Sequence, residues 1–270
     1  MTDAPLKGWH HVPDVPLQVS PFFTWPLRPR AMLAWIWNAW FLITERLIIV
    51  GIALLSMAFF QPPLEETRTL ALGWVAEMYL RNLALMTLVA GGLHLYFYTF
   101  TAQGQRLKYD PRQRMNTGRQ FTLGGQIRDN MFWTLASGVT IWTGYEVLLF
   151  WAMANGYAPG ITFASNPIWF VALFLLIPVW ESFYFYWIHC ALHIPFLYRH
   201  VHALHHRNIN VGPWSGLSMH PVEHLIFLGS VLIHFVVPPN PVHILFHLQY
   251  YALTAATTHT GFEGMLVKDK

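Results

Sequence analysis

Four stretches of this chain run almost unbroken in apolar residues, at 32–60, 82–100, 131–154 and 168–188. Each is close to or above the roughly 20 residues that a helix needs to cross a bilayer. The first carries Glu45 and Arg46 in its middle, so part of it reads as an interfacial lead-in, and Gln61-Pro62-Pro63 stops it. Asn155-Gly156 and Pro159-Gly160 mark a turn between the third and fourth. Two shorter runs, 225–237 and 242–257, are interrupted by histidine and bounded by Pro238, Pro239 and Pro241. They read as a re-entrant pair, or as helices lying on a membrane surface. The pattern predicts an all-α protein: an integral membrane four-helix bundle.

Composition agrees with that pattern. Of 270 residues, 54% are hydrophobic and only 11% charged, against about 25% charged in a soluble domain. Aromatic residues make up 16%, which suits rings at membrane interfaces. The net charge is +3, from dispersed basic residues, so nucleic acid is not an expected partner. Cys190 is the single cysteine, which leaves no internal disulfide and no cysteine-based zinc site.

Charge also orients the loops. Arg106, Lys108, Arg112, Arg114, Arg119 and Arg128 stand against two aspartates in 103–130, whereas 61–81 holds Glu65, Glu66 and Glu77 against two arginines. The positive-inside rule puts the N-terminus and the basic loop in the cytoplasm. Four spans then return the chain to the cytoplasm at His189. The expected division is a cytosolic N-terminal segment at 1–31, transmembrane helices at 32–188, and a histidine-rich cap at 189–270 forming one structural domain with them. Both termini and the histidines then face the cytosol, and the membrane would be a bacterial inner membrane.

The histidines carry the chemistry. Twelve of fifteen fall between His189 and His259. His189 and His193 form HxxxH; His202, His205 and His206 form HxxHH. On a helix, positions three and four apart share a face, so these five imidazoles are candidate metal ligands. A pH-sensing cluster is the bland alternative, but it does not account for two such patterns in tandem. Imidazole suits Zn, Cu, Fe and Ni. A structural zinc takes four ligands; the surplus suggests two metals, and two irons could activate O2. HExxH is absent, so the common zinc-protease arrangement is missing. Isolated His10, His11 and His200 read as surface residues, and His234, His243 and His247 as buried, hydrogen-bonded ones. Glu181 and Tyr186 share the face of His189 approximately. Glu223 could fix the tautomer of a ligating histidine, with His224 beside it.

The order HxxxH, HxxHH, His220-Pro221-Val222-Glu223 and His259-Thr260-Gly261-Phe262 resembles the fatty acid hydroxylase superfamily, in its sterol desaturase branch. Two neighbouring runs add to it: Gly212 through His224, and the basic Leu107-Lys108-Tyr109-Asp110-Pro111. The resemblance implies a membrane fold of about four helices under a cytosolic histidine-rich helical cap, and a non-haem centre of two irons. Its ligands would be His189, His193, His202, His205 and His206, with His259 and His220 adding to the shell; zinc could replace iron in purified protein. It also implies O2 as co-substrate and hydroxylation or desaturation of a lipid of sterol or fatty-acyl type. Electrons would come from a separate donor, cytochrome b5-like, a ferredoxin or a reductase. The family closes with a further HxxHH box, and this sequence stops at Lys270, where that box would begin. The expectation is therefore a fragment that holds at most one metal firmly and by itself turns over no substrate. Two rival readings remain: a lipid enzyme of another reaction type on a related fold, and a divalent-metal transporter with a cytosolic histidine cluster.

Overall fold

The computed structural model describes residues 21–36, 45–112, 114 and 118–266. Lys7, His10, His11 and the C-terminal Lys270 lie outside these. The described residues are helical, with no strand beyond one isolated bridge between Lys108 and Phe262. Their α-helices, in chain order, are α1 Pro29–Ile36, α2 Glu45–Phe59, α3 Leu72–His94, α4 Gln126–Phe132, α5 Val139–Ala154, α6 Pro167–Leu192, α7 Pro195–Leu197, α8 Ala203–His206, α9 Pro221–Leu228 and α10 Pro241–Thr258. Two of them run on through π-helical turns. α3 continues into Leu95–Thr99, and Trp133–Gly138 joins α4 to α5.

Among the described residues, only α6 is both long and apolar enough to cross a membrane. The four apolar stretches thus become helices of unequal kind. α2 is described from Glu45 onward, over 15 residues, and the 16 residues of α5 run on from α4 through the π turn. α3 has the length, at 23 residues, but carries Glu77, Arg81 and Asn82. The polar groups of α3 and α5 answer one another. Arg81 pairs with Glu146 in the core; Asn82 Nδ2 donates to Glu146 Oε2 at 3.0 Å, and Trp142 Nε1 donates to Oε1 at 2.7 Å. Every partner is buried, so the ion pair is fully hydrogen-bonded, the condition under which a buried charge is tolerated.

The last long helix, α10, lies within the helical core. Thirteen of its 18 residues are buried, and it packs against α2, α3, α5, α6 and α9. The histidines that interrupt its apolar pattern find partners inside. His243 donates to the Phe170 carbonyl at 2.8 Å, and His247 meets Ser230 Oγ at 3.0 Å and His234 at 3.1 Å. Asn240 caps its start, accepting from Val242 N at 3.2 Å, with Pro241 in the first turn. The chain just before α9 crosses α10 so closely that a Cβ on Gly216 would run into the Ala255 carbonyl.

Beyond α10, the run His259–Phe262 is bound to the basic loop. Tyr109 N donates to Gly261 O at 3.0 Å and Glu263 N to Leu107 O at 2.8 Å. Phe262 stacks on Phe97 with ring centres 4.4 Å apart. Gly261 takes φ +83, a left-handed conformation that favours glycine.

Candidate metal centre

α6 ends in the first histidine pair. His189 lies in its last turn and His193 is its C-cap, so the i, i+4 spacing puts both rings on one side, with Nε2 atoms 3.1 Å apart. Pro195 opens α7, and the chain then passes through a π-helical turn, Tyr198–His202, into α8. A π turn holds one residue more than an α turn and so rotates the side chains beyond it. It ends on His202, whose Nε2 lies 2.9 Å from that of His206. The four ligand atoms of His189, His193, His202 and His206 all lie within 4.8 Å of one another.

This donor set fits a metal ion. A tetrahedral ion with nitrogens at about 2.1 Å holds them about 3.4 Å apart, close to the spacings here. The protonation states fit too. Burial pushes His202 and His206 down to about 4, so both are neutral at pH 7, the form that ligates. Glu223 Oε1 lies 2.7 Å from His202 Nδ1; with that nitrogen as donor, the Nε2 lone pair faces the cluster. Burial raises the Glu223 carboxyl to about 8.

The remaining candidates divide. His205 and His259 form a second pair, with ring centres 5.5 Å apart. His259 Nδ1 donates to the Ala255 carbonyl at 2.9 Å, and His205 Nδ1 to the Ser218 carbonyl at 3.4 Å. A carbonyl only accepts, so both expose Nε2 lone pairs, and burial lowers His205 to about 3. His220 is not brought into the four-imidazole cluster. It caps α9, its Nδ1 accepting from Val222 N at 3.2 Å. His224 is also turned elsewhere, toward Ser137 Oγ at 3.0 Å and the Leu217 carbonyl at 2.9 Å. Cys190 and Tyr186 are exposed on α6.

His189, His202, His205, His206 and His259 line one side of a cavity of about 520 Å³. Phe185, Ile188, Leu192, Met219 and Phe227 give it apolar walls, and Glu181, Tyr250 and Tyr251 also border it. The sequence reading did not single out the two tyrosines. They stand with Thr254, Ala255 and Thr258 on the side of α10 that borders the cavity and leads to His259.

Comparison with known proteins agrees with this geometry. Residues 174–269 match the family model for fatty acid hydroxylase. Over these residues the chain is similar to the fatty acid hydroxylase family. The matched segment runs from the middle of α6 past His259, and so contains both histidine pairs. A Delta(7)-sterol 5(6)-desaturase of Aspergillus fumigatus is 29% identical over 149 residues, 52% of this chain and 42% of the relative. Sphinganine C4-monooxygenase 2 of Arabidopsis thaliana is 30% identical over 95 residues, 34% of this chain and 35% of the relative. A very-long-chain aldehyde decarbonylase of Oryza sativa subsp. indica is 44% identical over 55 residues, 20% of each. The chain therefore spans less than half the length of these relatives. No solved structure matches it.

Proposed function

We propose that this chain is a membrane-bound, metal-dependent oxygenase that hydroxylates or desaturates a lipid. The observation that carries the reading is the convergence of four imidazoles, three of which, His189, His202 and His206, stand at the wall of an apolar cavity. The match of residues 174–269 to the fatty acid hydroxylase family supports an oxidoreductase acting on lipids. The relatives are named for sterol desaturation, sphinganine hydroxylation and aldehyde decarbonylation, so the last leaves carbonyl loss as a second reaction type on the same histidines.

His189, His193, His202 and His206 would hold one iron, and His205 with His259 would begin the seat of another; zinc could occupy either in purified protein. Reduced iron supplies activation of O2, which lets an unactivated C–H bond be oxidised. The chain's own residues do the rest. Glu223 orients His202. The walls formed by Phe185, Ile188, Leu192 and Phe227 hold a hydrocarbon against the imidazoles and exclude water. Electrons come from a separate donor.

The spans are proposed on the same footing. α6 crosses the bilayer, and α2, α3 and the continuous α4–α5 unit cross beside it as residues 32–188, with 189–270 as the cap. The basic loop puts the cap and both termini on the cytosolic side. The test is the purified protein loaded with Fe(II) and supplied with a reductant and a lipid extract. The expected result is lipid-dependent O2 uptake, with a product that has gained one oxygen or lost two hydrogens. Tight metal binding without any lipid-dependent O2 uptake would overturn the reading.

A further inference from the structure

The cavity has a second polar feature, which metal binding does not use. Glu181 on α6 and Tyr251 on α10 both border it. Glu181 is 2% exposed and Tyr251 is 6% exposed. Both carboxyl oxygens of Glu181 and the Tyr251 hydroxyl lack a hydrogen-bond partner among the described residues. His247 Nε2 comes within 3.4 Å of Glu181 Oε1, but it is not aligned as a hydrogen bond and is engaged by Ser230 Oγ at 3.0 Å. Buried polar groups are nearly always paired, because an unpaired one forfeits its hydration without return. Two such side chains bordering one cavity mark a place where a ligand completes the bonding.

Their position says what kind of ligand. Glu181 lies eight residues before His189 on the same helix, about 12 Å along its axis. Phe185 stands between them on the same face. The unpartnered pair and the imidazoles are thus separated by a length of apolar wall. One acceptor and one hydroxyl donor together match a hydroxyl group. A fatty-acid carboxylate would instead meet the Glu181 carboxyl, an unfavourable pairing away from water. Arg46 and Glu45 also border the cavity, but each is engaged, Arg46 with Tyr250 at 3.2 Å and Glu45 with Thr257.

We propose that Glu181 and Tyr251 bind the hydroxyl of a hydroxyl-bearing lipid, whose hydrocarbon body then extends along the Phe185 wall to the imidazole cluster. The lipid hydroxyl donates to a Glu181 carboxyl oxygen and accepts from Tyr251. The assignment rests on the reading of the cavity as the lipid site. It names the substrate class as an alcohol, not a free fatty acid.

The experiment is equilibrium binding to the full chain in nanodiscs, so that turnover is not needed. The probes are cholestanol against cholestanol methyl ether, and octadecanol against octadecyl methyl ether. Each ether removes only the donated hydrogen. The expected result is that at least one alcohol binds roughly ten-fold or more tightly than its ether. The pair that shows the preference separates a ring lipid from a straight chain. Glu181→Leu should bring the ratio to within about two-fold, and Tyr251→Phe, which removes a donor that alcohol and ether oxygens accept alike, should weaken both; neither should change bound metal. Tyr251→Phe keeps the stack on Phe227, 3.9 Å between ring centres, so it serves if the Leu variant does not fold. No binding of either alcohol, no preference in either pair, a preference that survives Glu181→Leu, or alcohol binding unchanged in Tyr251→Phe overturns the proposal. A preference present in a protein that never consumes O2 removes the oxygenase reading and leaves the hydroxyl site standing.

Discussion

His202 Nδ1 lies 2.7 Å from Glu223 Oε1, and both side chains are almost wholly buried. The contact joins the π-helical turn before α8 to the first turn of α9, and it fixes which nitrogen of His202 faces its neighbours. Glu223→Ala should weaken metal binding by about 10–100-fold, the usual loss when the group orienting a ligating histidine is removed. Glu223→Gln keeps an acceptor in place and should recover part of that loss. Competition against a chelator measures both. Wild-type affinity in the Ala variant would reduce the contact to packing.

The histidines should separate by role. His193→Ala, His202→Ala and His206→Ala each remove one of four converging nitrogens and should lower bound metal. His220→Ala should not; it should cost about 1 kcal/mol of stability through loss of the α9 cap. His224→Ala should keep its metal but destabilise by about 1–3 kcal/mol, because it strands the Leu217 carbonyl in the core. Elemental analysis and thermal unfolding on the same samples read both effects.

Much of this site was legible in the sequence because its ligands are close in sequence and helical. The spacings of four at His189–His193 and His202–His206 translate directly into shared faces. The tail was harder. His220 stands in a His-Pro pattern that reads equally as a ligand or as a helix cap, and only three-dimensional placement decides. α10 looked like a surface or re-entrant helix because histidines break its apolar run, and a linear pattern does not reveal that Phe170, Ser230 and His234 satisfy them inside. Glu181 was visible on the face of His189. Tyr251 was not, because its neighbours on the cavity come from another helix.

Gly261 should be intolerant of a side chain for two reasons that can be separated. Its φ is +83, and an added Cβ would press on the Tyr98 hydroxyl and the Val211 carbonyl. Gly124 has φ +75 but open space around it. Gly124→Ala should therefore cost only backbone strain, about 1 kcal/mol, and Gly261→Ala more, about 2–3 kcal/mol. The latter should also disturb His259, two residues away. Equal thermal shifts in the two variants would show that the Tyr98 contact yields easily.

The proposed topology gives opposite results at two positions. In a Cys190→Ala background, a cysteine at exposed Gln105 lies in the basic loop and should react only from the cytosolic side. A cysteine at exposed Ala164, just before α6, should react only from the other side. A membrane-impermeant maleimide applied to intact cells and to inverted vesicles distinguishes them. Labelling of both positions from the same face would remove the continuous α4–α5 unit as a span.

The metal-free protein should show a stability maximum near pH 6.5. Burial holds His202 and His206 at about 4 and His205 at about 3, against an ordinary 6.5. Between pH 4 and 6.5 the unfolded chain binds protons at these rings that the folded chain does not, so stability falls as pH drops through that window. Glu223 works in the opposite sense. At about 8 in the fold against 4.5 in the open chain, it keeps a proton that the unfolded chain releases, and stability falls as pH rises from 4.5 to 8. Three histidines outweigh one glutamate below pH 6.5, and above it the glutamate acts alone. Thermal unfolding from pH 4 to 8 after chelation should trace this dome, and Glu223→Gln should flatten its alkaline side and steepen its acidic side. Bound metal should abolish the acidic decline down to about pH 5, since it occupies the nitrogens the protons would take. A metal-free protein whose stability rises steadily toward pH 4 would contradict the burial of neutral imidazoles at this centre.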